Sequence, residues 1–99
     1  FRRMQAILTL YVNGASSLSS RAVGNIRHIM AEYLGEGHTL QVVDVTGDPE
    51  AAERARILAT PTLVRSAPLP ELRVTGDLSD PERVLIALEL ADAAPHRDY

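Results

Sequence analysis

The sequence predicts an α/β fold with the element order βαβ-α-ββα and a mixed four-stranded sheet with helices on both faces. Three observations predict it. Near the start, an apolar run of strand length is followed by a helix-like pattern with apolar residues at three-and-four spacing, and then by a second strand. A second helix start comes next, with a proline at its first position. Two short strands and an apolar helix complete the order, and 99 residues suffice for one domain with one core.

The first part of the chain is a βαβ unit. Residues 6–12 form a nearly continuous apolar run, which suits a central strand covered on both faces. Ser19 or Ser20 can cap the next helix, and Gly35 is a suitable C-terminal stop. Residues 39–45 form the second strand, which should run parallel to the first because a helix connects them.

The second helix and the strand after it are marked by two prolines. Asp48 is a good N-cap and Pro49 suits the first helical position, so a helix is predicted over residues 49–58, with Glu50 and Arg54 as an i,i+4 ion pair. Pro61 has no N–H for a strand ladder and belongs at a strand start. Because the residue before a proline favours extended geometry, the helix should end by about residue 59.

The last part of the chain predicts a hairpin and a helix. Residues 62–65 and 72–75 are short strands, and residues 66–71 are compatible with the loop of a hairpin. Asp80, Pro81 and Glu82 repeat the capping signal, which predicts a helix over residues 82–91. That helix is apolar on too many sides for a simple surface helix. The whole chain is predicted as one domain, residues 1–99, with its core at about residues 6–91 and a flexible tail at residues 92–99.

This order of elements is the thioredoxin-like arrangement. Many thioredoxin-like domains carry a cis-proline at the position of Pro61, with the preceding backbone presented to a partner, so the Thr60–Pro61 bond is predicted to be cis. Enzymes of this type place two cysteines in the loop after the first strand, where this chain has Ser16 and Ser19. A serine hydroxyl is far too weak an acid to replace an activated thiolate, so both serines are interpreted as turn and cap residues.

Composition excludes several classes of function. A formal net charge of −3 and a pI near 5.5 argue against nucleic-acid binding. The absence of cysteine excludes disulfides, thiol catalysis and thiolate metal sites. No apolar run approaches the roughly 20 residues that cross a bilayer, so no membrane partner is expected and a cytoplasmic protein is predicted.

Other polar residues give no catalytic or metal site. The three histidines, which lack metal-ligand spacing and are predicted to be solvated, are His28, His38 and His96. Asp44, Asp48 and Asp77 could gather near strand ends, but capping or turn roles explain Asp48 and Asp77 more simply. The sequence therefore predicts no enzyme, no cofactor and no metal.

Four stretches together resemble the KaiB family of the cyanobacterial-type circadian clock. They are Leu10-Tyr11-Val12-x-Gly14, Val43-Asp44-Val45 with Pro49 after it, Ile57-Leu58-Ala59-Thr60-Pro61-Thr62-Leu63, and Gly76-Asp77-Leu78-Ser79-Asp80 followed by Glu82-x-Val84-Leu85-Ile86. The resemblance runs without gaps from about Leu8 to Leu90. It implies a non-enzymatic adaptor that binds KaiC, the ring-shaped clock ATPase.

The resemblance also implies a change of fold. KaiB proteins rest in a different fold that forms homo-oligomers, chiefly tetramers, and they dock on KaiC as thioredoxin-like monomers, which capture KaiA and displace the kinase SasA. Ala87 replaces a family-typical glycine in the last helix, which favours the thioredoxin-like state because glycine weakens a helix interior. Gly76 and Asp77 are assigned with Ala87 to the switching segment.

Partner-binding residues follow from the resemblance as well. Arg56 and Arg73 match basic positions associated with KaiC docking. Gln41 stands where the family usually has a lysine used for KaiA capture, and Ser17 stands where a proline is common, which argues against KaiA as a partner. Three alternatives remain open: the sensor domain of a SasA-like histidine kinase, a KaiB-like stress-response module, and a redox domain that has lost its chemistry.

Overall fold

The computed structural model describes residues 5–90, which form a four-stranded sheet with the predicted order of elements. The elements are β1 (Ile7–Val12), α1 (Ser17–Ile29) with a π-helical continuation (Met30–Leu34), β2 (Thr39–Asp44), α2 (Pro49–Arg54), β3 (Thr62–Ala67), β4 (Leu72–Thr75) and α3 (Pro81–Ala87). The strands lie in the order β2-β1-β3-β4, with β1 and β2 parallel and the other pairs antiparallel. The predicted thioredoxin-like architecture is confirmed.

One face of the sheet carries the hydrophobic core. Leu10 pairs with Leu63, and Leu63 pairs with Val74, so their side chains share a face. Both α1 and α3 pack on this face, and the cluster buries Ile26 of α1 and Val84 of α3. The two longer helices therefore lie on the same side of the sheet.

The opposite face is only partly covered. Ile7 is 47 % exposed, and Thr9 and Tyr11 are half-buried. Among the helices of residues 5–90, α2 is the one whose end is bonded to a strand residue of this face, Arg73, but none of its six residues is buried. The prediction that β1 is covered on both faces is therefore wrong for one face, because so short a helix cannot shield it.

Helix α1 begins three or four residues earlier than the predicted cap at Ser19 or Ser20 implies. Ser16 is the N-cap and its hydroxyl accepts from the Ser19 N–H. Ser19 is buried inside the first turn, so the prediction of Ser19 or Ser20 as the cap is wrong. At the other end Gly35 stops the helix with φ 67°, as predicted. The π turn before it keeps Leu34 on the core face with Ile29, whereas an α-helical spacing of five residues would turn it away.

The other two helices are shorter than predicted. Helix α2 ends at Arg54, and Arg56 has a positive φ of 57°. Helix α3 ends at Ala87, and Glu89 has a φ of 54°. Beyond that end Leu88 and Leu90 are fully buried, which explains why the segment is apolar on too many sides for a surface helix.

Strand boundaries agree closely with the sequence pattern. β2 ends one residue before its predicted end, β4 has the predicted bounds, and β3 continues two residues further, to Ala67. Asp48 and Asp80 cap α2 and α3 by accepting from the N–H groups of Ala51 and Arg83. The predictions for residue 91, for His96 and for the tail at residues 92–99 lie outside the described residues.

Candidate partner-docking surface

The loop after β1 uses its serines structurally. Ser16 Oγ accepts from the Ser19 N–H at 3.3 Å, and Ser19 Oγ accepts from the Asn13 N–H at 3.0 Å. The Ser16 hydroxyl therefore caps the start of α1, and the Ser19 hydroxyl ties the residue after β1 to the first turn of that helix. The position of the redox cysteines in thioredoxin-type enzymes is occupied here by turn and cap residues.

Asp44 joins the two loops that leave the carboxyl ends of the parallel strands. Its Oδ1 accepts from the Thr46 hydroxyl at 2.7 Å, the Thr46 N–H at 3.0 Å and the Gly14 N–H at 3.3 Å. These bonds, led by the one from the Thr46 hydroxyl, lower the pKa of Asp44 below its ordinary value. A Cβ on Gly14 would overlap the Asp44 carboxylate, so the absence of a side chain at residue 14 permits this contact.

The three aspartates that could have formed one site serve three separate local structures. Asp48 caps α2, and hydrogen bonds from Ser79 lower the pKa of Asp77. The Asp77 carboxylate also lies 3.9 Å from Arg21 Nε. Within residues 5–90, no three histidine, aspartate or glutamate side chains form a group that could hold a metal ion.

His38 is not the solvated residue that was predicted. It is half-buried, and its Nδ1 accepts from the Ala6 N–H at 3.0 Å, which joins the start of β2 to the start of β1. His28 is exposed on α1, as predicted. In the described part of the chain, no helix has the length and apolar character needed to cross a membrane.

Arg73 and Arg56 lie together, but their side chains have different surroundings. Arg73 is on β4, and its guanidinium donates to three oxygens: Arg56 O at 3.1 Å, Ala55 O at 3.0 Å and Glu71 Oε2 at 2.6 Å. Arg56 is exposed, and its guanidinium has no hydrogen bond or ion pair with any residue between 5 and 90. The carbonyl oxygens at the end of α2 are therefore satisfied by Arg73.

Arg54 also lies near Arg56 and Arg73, although the sequence analysis predicted an ion pair with Glu50 for it. The predicted ion pair between Glu50 and Arg54 is absent among the described residues, because an exposed pair on a helix of one and a half turns gains too little to order two long side chains. Instead Arg54 lines an open cleft of ≈ 410 Å³. The other residues that line this cleft are Ala55, Arg56, Glu71 and Arg73.

Gln41 is distant from this cleft. It is exposed on β2, one edge of the sheet, whereas Arg73 is on β4, the other edge. Two strands separate them, which corresponds to roughly 14 Å at the usual strand spacing. The residues predicted to bind partners therefore form two separate surfaces.

The remaining predicted residues lie at the junctions of β3, β4 and α3. Pro61 is buried at the start of β3, its peptide bond with Thr60 is cis, and its carbonyl accepts from the Gly76 N–H at 3.0 Å. The bonds before Pro68 and Pro70 are cis as well. Gly76 has a φ of 127°, where a side chain would be strained. Ala87 is the last residue of α3 and packs against the core.

A buried arginine was missed by the sequence analysis. Arg65 on β3 is 2 % exposed, and its guanidinium donates to Leu88 O at 3.0 Å and to Pro70 O at 2.9 Å. It thereby joins the end of α3 and the loop after β3 to the sheet. Strand alternation could have indicated this, because Arg65 is two residues from Leu63 and must share its core-facing side.

Comparison with known proteins gives a consistent result. A family model described as "KaiB domain" matches residues 9–90. The chain is 49 % identical over 89 residues to the circadian clock oscillator protein KaiB of Synechococcus sp. strain RCC307, covering 89 % of this chain and 80 % of the relative. It is 39 % identical over 84 residues to the circadian clock protein KaiB3 of Synechocystis sp. strain PCC 6803, covering 85 % and 82 %.

Solved structures give the same architecture. The N-terminal domain of SasA from Synechococcus elongatus has a TM-score of 0.70 at 26 % identity, with 91 % of this chain and 89 % of that chain covered. Chloroplastic thioredoxin z has a TM-score of 0.71 at 16 % identity, with 90 % and 80 % covered. The thioredoxin likeness, at that identity, concerns the fold alone.

Proposed function

The chain belongs to the KaiB family, and from that premise we propose that it is a clock adaptor that binds a KaiC-type ATPase ring and couples binding to a change of fold. The curated relatives are circadian clock proteins, and this chain is a non-enzymatic, clock-related protein. The observation that carries the proposal is the match of residues 9–90 to the KaiB domain.

The basic cleft supports docking at the end of α2. Arg56 and Arg73, the two residues that the resemblance associates with docking, both line this cleft, and an acidic surface on the ATPase is the proposed complementary partner. The sequence as a whole carries a net charge of −3, so a cleft with three arginines and one glutamate is a local departure from the charge of the protein.

The proposed fold change is a population shift. A partner that binds only the thioredoxin-like state draws the chain into that state by its differential affinity. We propose a homo-oligomer, a tetramer or a dimer, as the resting state, with Gly76, Asp77 and Ala87 in the segment that changes. Cytoplasmic location remains part of the proposal.

The test is a time course of binding to the KaiC-type ATPase of the same genome, with ATP, followed by native mass spectrometry. Binding over hours, with an oligomer converting to a bound monomer, supports a resting state that must switch first. Rapid binding by a monomer supports docking by a thioredoxin-like state that is already populated. Failure to bind any such ATPase contradicts the adaptor proposal.

Partners beyond the ATPase follow from the separate location of Gln41. We propose that the complex does not capture KaiA, because the lysine expected on β2 is absent, and that it competes with a SasA-like kinase for the ATPase. A competition assay tests both statements. Displacement of the kinase domain without recruitment of KaiA is the expected result.

A second candidate is the sensor domain of a SasA-like kinase, which the structural likeness to the SasA N-terminal domain favours. A genomic reading frame that continues beyond Tyr99 into a kinase would establish it. A KaiB-like module for stress adaptation is the other alternative. Loss of stress survival without loss of rhythm on deleting the gene would favour that role.

A further inference from the structure

We propose that the docking contacts are made by Arg54, Arg56 and Leu58, and that Arg73 is a positioning residue that holds this segment in place. The proposal rests on the proposed function and deepens it by naming the contact atoms and the chemistry of the partner. That partner surface is acidic and offers an apolar depression for one leucine.

The first argument is the way in which Arg73 is bonded. Its two terminal nitrogens donate to Ala55 O, to Arg56 O and to Glu71 Oε2. The two carbonyl groups are at the end of α2, where helix carbonyls lack partners within the helix. A guanidinium with both terminal nitrogens bonded internally, and with its charge paired to Glu71 at 2.6 Å, has little left to offer a partner.

The second argument is the freedom of the other two arginines. Arg54 and Arg56 are exposed, both line the cleft, and neither guanidinium has a hydrogen bond or ion pair within residues 5–90. Since Glu71 is paired with Arg73, no carboxylate lining the cleft is left to neutralise them. Two unpaired cations on one short segment favour a partner that supplies carboxylates.

The third argument is the position of Leu58. This leucine is 98 % exposed, which is the highest exposed fraction among the large apolar residues between 5 and 90. A single exposed leucine is ordinary, but this one follows Arg56 by two residues, and two residues span at most about 7 Å. It is not one of the residues that line the cleft, but it is an exposed apolar side chain within two residues of an exposed, unpaired arginine. Interfaces combine these features as a buried apolar contact with a charged rim.

Together these observations give the residues two roles: Arg54, Arg56 and Leu58 contact the partner, and Arg73 holds their segment in place. The positive φ of Arg56 ends the helix and places the residues after it in the segment that leads to β3. Arg73 fixes the carbonyl groups on either side of this change of direction. The arginine on the strand thus orders the arginines and the leucine that face the partner.

Lysine substitutions test whether Arg73 acts by holding the segment at the end of α2 in place. Lysine keeps the positive charge but cannot reproduce the planar fork that reaches several acceptors at once. The control, Arg27→Lys on the exposed side of α1 and outside this surface, should bind the KaiC-type ATPase with an affinity within about twofold of the parent. Arg73→Lys should lose at least fivefold in affinity, and amide hydrogen exchange at Arg56 and Ile57 should become faster. Equal affinities of the parent and Arg73→Lys for the ATPase would contradict the role of Arg73 as a positioning residue.

Charge and apolar contacts have separate kinetic readouts. Arg54→Gln and Arg56→Gln should lower the association rate and flatten its dependence on salt, because unpaired charges steer encounter. Leu58→Ser should raise the dissociation rate at least tenfold, whereas Leu69→Ser, whose leucine is 81 % exposed in the hairpin loop, should leave it unchanged. Association and dissociation rates that are unchanged in Arg54→Gln and Leu58→Ser would contradict the assignment of these residues as partner contacts.

The same experiment distinguishes the two proposals. If the unmodified chain does not bind the ATPase, the proposed function fails and this surface fails with it. If the unmodified chain binds and the variants bind equally well, the adaptor role stands and only the assignment of this surface is rejected.

Discussion

At the scale of single residues, this protein fixes its loops through polar side chains that bond to backbone groups. Asp44, Asp48, Asp77 and Asp80 each accept from a backbone N–H within four residues along the chain. Only two ion pairs occur within residues 5–90. Local hydrogen bonds of this kind specify where an element begins, so single substitutions should act on loop geometry rather than on the core.

The contact between Gly14 and Asp44 leads to a stability prediction. In Gly14→Ala the new methyl group displaces the Asp44 carboxylate and weakens its bonds to Thr46, so we expect a decrease in the free energy of unfolding. The matched control is Gly24→Ala in the middle of α1, where a Cβ meets open space and alanine should stabilise by roughly 0.5–1 kcal/mol. Chemical denaturation measures both, and the same sign for the two variants would contradict the argument.

Acid sensitivity follows from the lowered pKa values of Asp44 and Asp77. Because the folded state holds both pKa values below the ordinary 3.8, it binds fewer protons than the unfolded state in acid. Their contribution to stability is fully present above that value and is lost as the pH falls below it, through the folded pKa values. In Asp44→Asn/Asp77→Asn, thermal melts should therefore show a smaller decrease in Tm between pH 4 and pH 2.5 than in the parent. An identical decrease would show that other carboxylates dominate.

At the scale of elements, two strand arginines donate hydrogen bonds to the carbonyl groups just beyond the ends of two helices. Arg73 reaches Arg56 O across 17 residues of chain, and Arg65 reaches Leu88 O across 23. The cation at a helix C-terminus also complements the helix dipole. This explains why α2 and α3 end before the sequence pattern predicts: the terminating groups come from distant strands, and no local signal specifies them.

Local signals, in contrast, were sufficient for much of the fold. The caps at Asp48 and Asp80, the stop at Gly35 and the strand starts before and after the hairpin were all predicted, because each depends on neighbours in sequence. Arg65, which the sequence analysis missed, and Arg54 and His38, to which it gave other roles, have surroundings that depend on tertiary contacts. Arg56 and Arg73 lie together at the end of α2, and their docking role stays a prediction, but the bonding of Arg73 could not be read from the chain.

The buried arginine gives the prediction at this scale. Replacing Arg65 by methionine leaves Leu88 O and Pro70 O without their donor, and we expect a loss of about 1–3 kcal/mol in the free energy of unfolding. Amide protection in α3 should fall more than in α1. The control is Arg27→Met on the exposed side of α1, which should change stability by less than about 0.5 kcal/mol. Equal stabilities of parent and Arg65→Met would show that the apolar side chain compensates fully.

At the scale of the whole molecule, the two faces of the sheet differ in how firmly they are held. The face under α1 and α3 has a continuous core, whereas on the other face Thr62 and Val64 of β3 are buried and no residue of α2 is. The second half of the chain is joined to the first by the pairing of β1 with β3, by the shared core, in which Leu88 and Leu90 are fully buried, and by bonds such as the one from Asn25 Nδ2 to Asp77 O at 2.7 Å. In the proposed change of fold, a second packing of that half would have to replace these contacts, so that the two states differ by only a few kcal/mol.

Ala87 provides the test of that balance. It is the last residue of α3 rather than an interior residue, so glycine there should weaken the helix by less than the full interior cost of about 1 kcal/mol. Ala87→Gly should lower the ratio of the thioredoxin-like state to any alternative state by at most about fivefold, a factor that corresponds to that energy. NMR with slow-exchange peak volumes measures the two populations. Gly24→Ala, which lies in the half that should keep its fold, is the control and should leave the ratio near its parent value. If Ala87→Gly left the populations unchanged, the end of α3 would have no part in the balance, and the bonds of Arg65 to Leu88 and Pro70 would be the next contacts to test.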